Sequence, residues 1–144
     1  FKIPIMGWHM KANNYIPVDR SNTREAIKSI SEAANQVKNG KRVVIFPEGT
    51  RSEDGEIQPF KKGLFHLCAK TGIPILPIYI EGSNKILKTH SLYIHPGNIK
   101  IEIGKEIPTA EYSRKNIKTL MNDLRENMIQ LQEKARTSIN TEKE

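Results

Sequence analysis

The stretch from Val43 to Ser52 constrains the fold most. Val43-Val44-Ile45-Phe46 is a short apolar, mostly β-branched run, the pattern of a buried strand. Pro47 ends it, because proline has no N–H to give a neighbouring strand. Gly49 then lets the backbone turn tightly or approach a ligand closely. Upstream, Asn22-Thr23-Arg24-Glu25 reads as a capping-box variant. The helix it starts carries Ile27, Ile30, Ala34 and Val37 on one stripe, and Gly40 is a suitable stop. Ahead of that helix, Tyr15 to Val18 reads as a strand delivering Asp19 and Arg20 to its carboxyl end. Strand, helix and strand in succession predict a βαβ unit with parallel strands and a right-handed crossover.

Further along, Glu53 to Glu56 is a turn and Phe60 to Lys70 a helix, with Leu64, Phe65, Leu67 and Cys68 available for the core and Gly72 beyond its end. Ile73 to Ile80 reads as a third strand, apolar on both faces and therefore central. Pro77 inside it suggests a bulge or bend. Leu92–His95 and Ile99–Ile103 read as two strands joined by Pro96-Gly97-Asn98 in a hairpin. A last helix, roughly Ser113 to Arg136, places Ile117, Leu120, Met121, Leu124, Met128 and Leu131 on one stripe. The expected fold is α/β, a mixed and mainly parallel sheet flanked by helices. It forms a single domain over residues 1–136, followed by a polar tail over 137–144.

The chain has 144 residues, 37% of them hydrophobic and 27% charged, with a net charge of +7. That balance favours anionic partners: acidic lipid, phosphorylated small molecules or nucleic acid. Nucleic acid is disfavoured, since there is no zinc-finger spacing, no RNP-like aromatic block and no long Lys/Arg run. Cys68 is the only cysteine, so no internal disulfide forms and no Cys/His metal spacing exists. No apolar run approaches the roughly 20 residues of a spanning helix. Phe1 to Trp8 is apolar and suits either a membrane-facing or pocket-covering segment, or a core segment.

Around Gly49 sit a carboxylate, a hydroxyl and a guanidinium, on a loop where open α/β sheets place their ligands. Arg51 offers a planar fork that matches phosphate, and Thr50 adds a hydroxyl donor. Glu48 cannot bind phosphate, so its task is to accept from a substrate hydroxyl or to hold an arginine in place. The same stretch also reads as an ordinary turn with a solvated Glu and Arg. Arg20 serves either as a second anion contact or as an ion-pair partner of Asp19 or Glu25.

Phe46-Pro47-Glu48-Gly49-Thr50-Arg51-Ser52 resembles the FPEGTRS motif of the glycerolipid acyltransferases, the 1-acyl-glycerol-3-phosphate acyltransferase family. Tyr15 to Arg20 resembles that family's upstream block ending in Asp-Arg. Pro59-Phe60-Lys61-Lys62-Gly63 resembles the segment after the motif, and Ile75-Leu76-Pro77-Ile78 the last block. The resemblance runs from Phe1 to about Pro108. One departure stands out. The family's catalytic signature is a histidine followed by an aspartate with four residues between. After His9, His66, His90 and His95 that place holds Asn14, Thr71, His95 and Lys100.

The resemblance implies a glycerol-3-phosphate acyltransferase-like fold and the carboxyl-terminal part of a longer enzyme, inactive by itself. That enzyme would move an acyl group from acyl-CoA or acyl carrier protein to the free hydroxyl of a lysophosphatidate-like acceptor, giving phosphatidic acid. It implies that Arg20, Glu48, Gly49, Thr50 and Arg51 contact the acceptor, and that no cofactor or metal is needed. Lys61, at a helix start that attracts anions, either reaches the same pocket or is a solvated lysine beside Lys62. The expected place is the cytoplasmic face of a membrane with an anionic surface, peripheral or anchored through the missing amino-terminal region. The alternative is a non-catalytic module binding phosphorylated lipid at such a membrane.

Overall fold

The computed structural model describes residues 8–10, 12–13, 15–16, 23–112 and 116–141. They divide into two compact units, one ending at Ile45 and the other beginning at Phe46.

In the first unit, Trp8 to Met10 is helical, and the Asn13 and Tyr15 N–H groups donate to the His9 and Met10 carbonyls at 3.1 and 3.0 Å. Helix α1 spans Thr23–Lys38. Ala33 and Ala34 are its buried residues, while Ile27 at one end of the expected stripe is 56% exposed. Gly40 has φ +82°. Its N–H bonds to Val37 O at 2.9 Å and the Lys41 N–H to Gln36 O at 3.0 Å, the paired bonds of a Schellman stop. The Asn22 cap, Pro17 and Val18 of the expected first strand, and the Asp19 and Arg20 that follow it lie outside the described residues. Val43 to Phe46 adopts no regular secondary structure. A strand exists only through its partners, and these four residues have no ladder among the described residues.

The second unit contains α2 (Lys62–Thr71), β1 (Ile78–Glu81), the one-turn α3 (Ser83–Ile86), β2 (Lys100–Ile103) and α4 (Ile117–Thr141). Gly72 caps α2 at φ +68°, its N–H on Cys68 O. β1 and β2 pair antiparallel, Ile78 opposite Ile103 and Ile80 opposite Ile101. This is the one sheet among the described residues, two-stranded and antiparallel. Leu92–His95 is not a strand, so the expected hairpin is absent; β2 takes β1 as its partner instead. An isolated bridge joins Ile75 to Ile107, again antiparallel. Between bridge and ladder, two residues (Leu76, Pro77) face three (Gly104, Lys105, Glu106), which is a bulge. Pro77 lies on it, without an N–H to continue the ladder, and its carbonyl accepts from Gly104 N–H at 2.9 Å.

Helix α4 covers one face of this sheet. Its buried residues Ile117, Leu120, Leu124, Leu131 and Ala135 join Phe60, Phe65, Tyr79 and Ile107 in one core, with Met121 and Met128 packed against it. Ile78, Ile80, Ile101 and Ile103, on the opposite face, are exposed. The third strand is therefore not covered on both sides, as its apolar sequence suggests, because α4 supplies only one cover. Helix α4 continues to Thr141, past the expected end at Arg136.

Candidate functional site

The loop from Pro47 to Phe60 is drawn closed at its base, where Lys61 N–H donates to Pro47 O at 2.8 Å. Gly49 turns back on Phe46 with an N–H···O bond of 3.2 Å. Its φ of +72° is a left-handed conformation that a side chain disfavours. A Cβ there would lie 3.5 Å from Cγ of Lys61. The lysine stem thus runs beside the Gly49 backbone.

Thr50 and Arg51 are exposed on this turn. Arg51 has no ion-pair or hydrogen-bond partner among the described residues, so its guanidinium fork faces solvent. Glu48 behaves differently. It is half-buried, and burial raises its pKa, opposed by the Gln58 N–H bonded to its carboxylate and by the field of Arg125. Arg125, on α4, also donates from Nη1 to Ile57 O and Gln58 O at 3.3 and 3.4 Å. Glu48 thus accepts the Gln58 N–H and lies in the field of Arg125. Arg125 was not legible as a site residue, because it lies in no motif and directly follows the buried Leu124. Beside it a shallow cleft of about 300 Å³ is lined by Pro59, Phe60, Met121 and Asn122.

The outer part of the loop is tied to the same helix. Ser52 Oγ donates to Asp54 Oδ1 at 2.8 Å and accepts the Gly55 N–H at 2.9 Å. The Glu56 N–H, followed by that Ser52 hydroxyl, holds the Asp54 carboxyl below its usual range. Arg136 donates to Glu56 Oε1 at 2.8 Å, to Glu81 Oε2 at 3.2 Å and to Gly55 O at 3.3 Å. The Tyr79 hydroxyl donates to Glu81 at 2.9 Å and accepts from Gln132 at the same distance. The loop, β1 and α4 thus meet at the carbonyl of Gly55, which accepts from Tyr79, Gln132 and Arg136.

Arg20 lies outside the described residues, so the expected pairing of two arginines on one phosphate has no geometry here. His9 is exposed. The side chain beside its ring is Asn13, whose amide lies 3.4 Å from Nδ1 and donates to the His9 carbonyl at 2.8 Å. Among the described residues no group of His, Cys, Asp and Glu could hold a metal ion.

The helix-and-sheet unit thus carries a closed polar loop on which Arg51 is exposed and the Lys61 stem lies beside Gly49. The chain belongs to the acyltransferase family, whose family model, described as Acyltransferase, matches residues 1–81. It is 42% identical over 108 residues to a chloroplastic 1-acyl-sn-glycerol-3-phosphate acyltransferase of Brassica napus, covering 74% of this chain and 31% of that protein. With the 1-acyl-sn-glycerol-3-phosphate acyltransferase of Saccharomyces cerevisiae it shares 32% identity over 130 residues, 88% of this chain and 43% of the relative. The crystal structure of the 1-acyl-sn-glycerophosphate acyltransferase PlsC from Thermotoga maritima is similar at a TM-score of 0.75 and 28% identity, covering 92% of this chain and 52% of that one. The chain thus spans well under half the length of these curated relatives and about half of the solved structure.

Proposed function

We propose that this chain supplies the acceptor-binding part of an O-acyltransferase that acylates the free hydroxyl of 1-acyl-glycerol 3-phosphate, giving phosphatidic acid. The observation that carries the reading is the FPEGTRS turn itself, where Arg51 is exposed, with no ion-pair or hydrogen-bond partner among the described residues, while Glu48 is half-buried. A dianionic phosphate would take the Arg51 fork, with Thr50 and the Lys61 ammonium as further donors and Gly49 allowing close approach. Arg20 would add a second guanidinium. Glu48, held by Gln58 and Arg125, would fix the turn. Acyl transfer also needs a base for the attacking hydroxyl. A histidine held by an aspartate with four residues between them would come from a segment outside this chain. The donor is an acyl thioester, acyl-CoA or acyl carrier protein. The mixed, mainly parallel sheet would be completed by that further segment, and the enzyme would work at the cytoplasmic face of an anionic membrane.

The test uses a protein that carries such a His-x4-Asp block ahead of this sequence. Arg51→Ala should lower kcat/KM for the phosphorylated acceptor roughly 10- to 100-fold, the worth of one charge-assisted contact. It should change kcat/KM for the thioester much less, and Arg51→Lys should rescue only in part. A defect confined to the thioester would overturn the assignment. The second reading, a non-catalytic phospholipid-binding module, is favoured by the absence of His-x4-Asp from this sequence. It would be preferred if the longer protein bound lysophosphatidate yet gave no turnover.

A further inference from the structure

We propose that the loop between α3 and β2 is a membrane-insertion finger for anionic bilayers, with Leu92-Tyr93-Ile94 as its tip. From Gly82 to Ile101 the chain has no acidic residue, and it carries Lys85, Lys88, Lys100, His90 and His95. Glu81 and Glu102 bracket this stretch at its two ends. The three tip residues are 97%, 80% and 76% exposed, a consecutive run of large apolar side chains left in water. Scattered surface leucines are common, but three adjacent ones on one loop mark an interaction site.

The loop is not a frayed segment. Its base is pinned where the His95 N–H donates to Ile86 O at 2.8 Å. Gly97 packs against the Ile86 side chain, and Gly82, at φ +90°, lies so close to the Asn98 carbonyl that no Cβ fits between them. Within the loop Ser91 N–H bonds to Lys88 O at 3.1 Å, and Ser91 Oγ accepts the Tyr93 N–H at 3.0 Å. A closed base with a local turn holds the apolar tip outward.

Charge selects the occupant. A second copy of this chain would bring the same lysines face to face, whereas an anionic lipid surface attracts them. The tip composition points the same way: leucine and isoleucine suit the acyl boundary, and tyrosine suits the headgroup level. The finger lies away from the Gly49 turn in sequence and requires no acyl transfer for its action, so its test reads binding rather than catalysis.

The 144-residue chain is sedimented with vesicles of phosphatidylcholine alone, and of three parts phosphatidylcholine to one part phosphatidylserine. Wild type should bind the mixed vesicles and leave the neutral ones in solution. Leu92→Asp combined with Ile94→Asp should weaken that binding about tenfold or more, and Lys85→Glu with Lys88→Glu by a similar factor at low salt. Ile129→Asp, a matched apolar-to-acidic change at an exposed position of α4, should stay within about twofold of wild type. Circular dichroism and light scattering establish fold and oligomeric state for every variant. Unchanged vesicle binding by the Leu92/Ile94 variant overturns the proposal, as does an equal loss in Ile129→Asp. Loss of a dimer in the Leu92/Ile94 variant with vesicle binding intact would assign the tip to a second copy instead.

Discussion

Glu48 is held by groups that pull its proton affinity in opposite directions. Burial disfavours the carboxylate, and the Gln58 N–H and Arg125 favour it; burial prevails, so the folded pKa lies above 4.5. A raised acid pKa means that the folded state binds this proton more tightly than the unfolded chain does. Glu48 then costs stability at pH values above its folded pKa, and the cost disappears below the unfolded pKa. Glu48→Gln keeps an oxygen for the Gln58 N–H and removes the charge. Its melting temperature should equal or exceed that of wild type at about pH 7, with the difference closing toward about pH 3.5. A variant less stable at neutral pH and equal in acid would show that the Arg125 attraction prevails over burial. Cys68 offers a second check at this scale. It is 5% exposed, and burial pushes its thiol up to about 11. Both effects suppress the reactive thiolate. A maleimide should leave the native chain unlabelled at neutral pH and label it fully in denaturant; native labelling at the rate of free cysteine would contradict the packing of α2.

At the scale of elements, α4 joins the loop to the sheet. Arg136 is the joint: it binds Glu56 on the loop and Glu81 on β1. Glu81 is 6% exposed, so losing the arginine strands a largely buried carboxylate. Lys134 makes the parallel link to Glu102 on β2 at 2.7 Å. Arg136→Ala should cost roughly 2 kcal/mol, the worth of charged hydrogen bonds at a half-exposed guanidinium. That corresponds to a fall in melting temperature of about 4–8 °C for a chain of this size. Arg136→Lys, which can reach one carboxylate and not both, should recover less than half. A drop of under a degree for Arg136→Ala would mean that solvent replaces the pairing without loss.

These elements also show what a sequence can disclose. The stripe Ile117 to Leu131 and the stops at Gly40 and Gly72 were legible, because helical periodicity and left-handed glycine are local properties. The bulge at Pro77 was legible for the same reason, since a missing N–H acts where it stands. Pairing was not legible. Leu92 to His95 has strand composition, yet β2 pairs with β1, and the choice between partners depends on residues far apart in sequence. In the site, the turn around Gly49 could be read from its own residues, while Arg125 and Arg136 could not, since α4 brings them to loop partners 67 and 80 residues away.

For the whole molecule the governing quantity is charge and where it lies. Of the net +7, the acid-free stretch from Gly82 to Ile101 carries three lysines, Lys85, Lys88 and Lys100. By contrast, α4 mixes both signs along its length. No helix among the described residues is long and apolar enough to cross a membrane. Attraction to an anionic leaflet is worth roughly 1 kcal/mol for each Lys or Arg held close to it. Salt screens that attraction over about 8–10 Å at 0.1–0.15 M. Vesicle affinity should therefore fall steeply as salt rises from low to physiological concentration, and neutral vesicles should bind almost nothing. Removing Phe1 to Trp8 should weaken binding further without changing the salt dependence, because it deletes Trp8 and other apolar side chains but only one lysine. Co-sedimentation across a salt series, on the intact and shortened chains, measures both effects. Affinity indifferent to salt and to lipid charge would mean that apolar insertion alone holds the chain at the surface, and the electrostatic account would have to be abandoned.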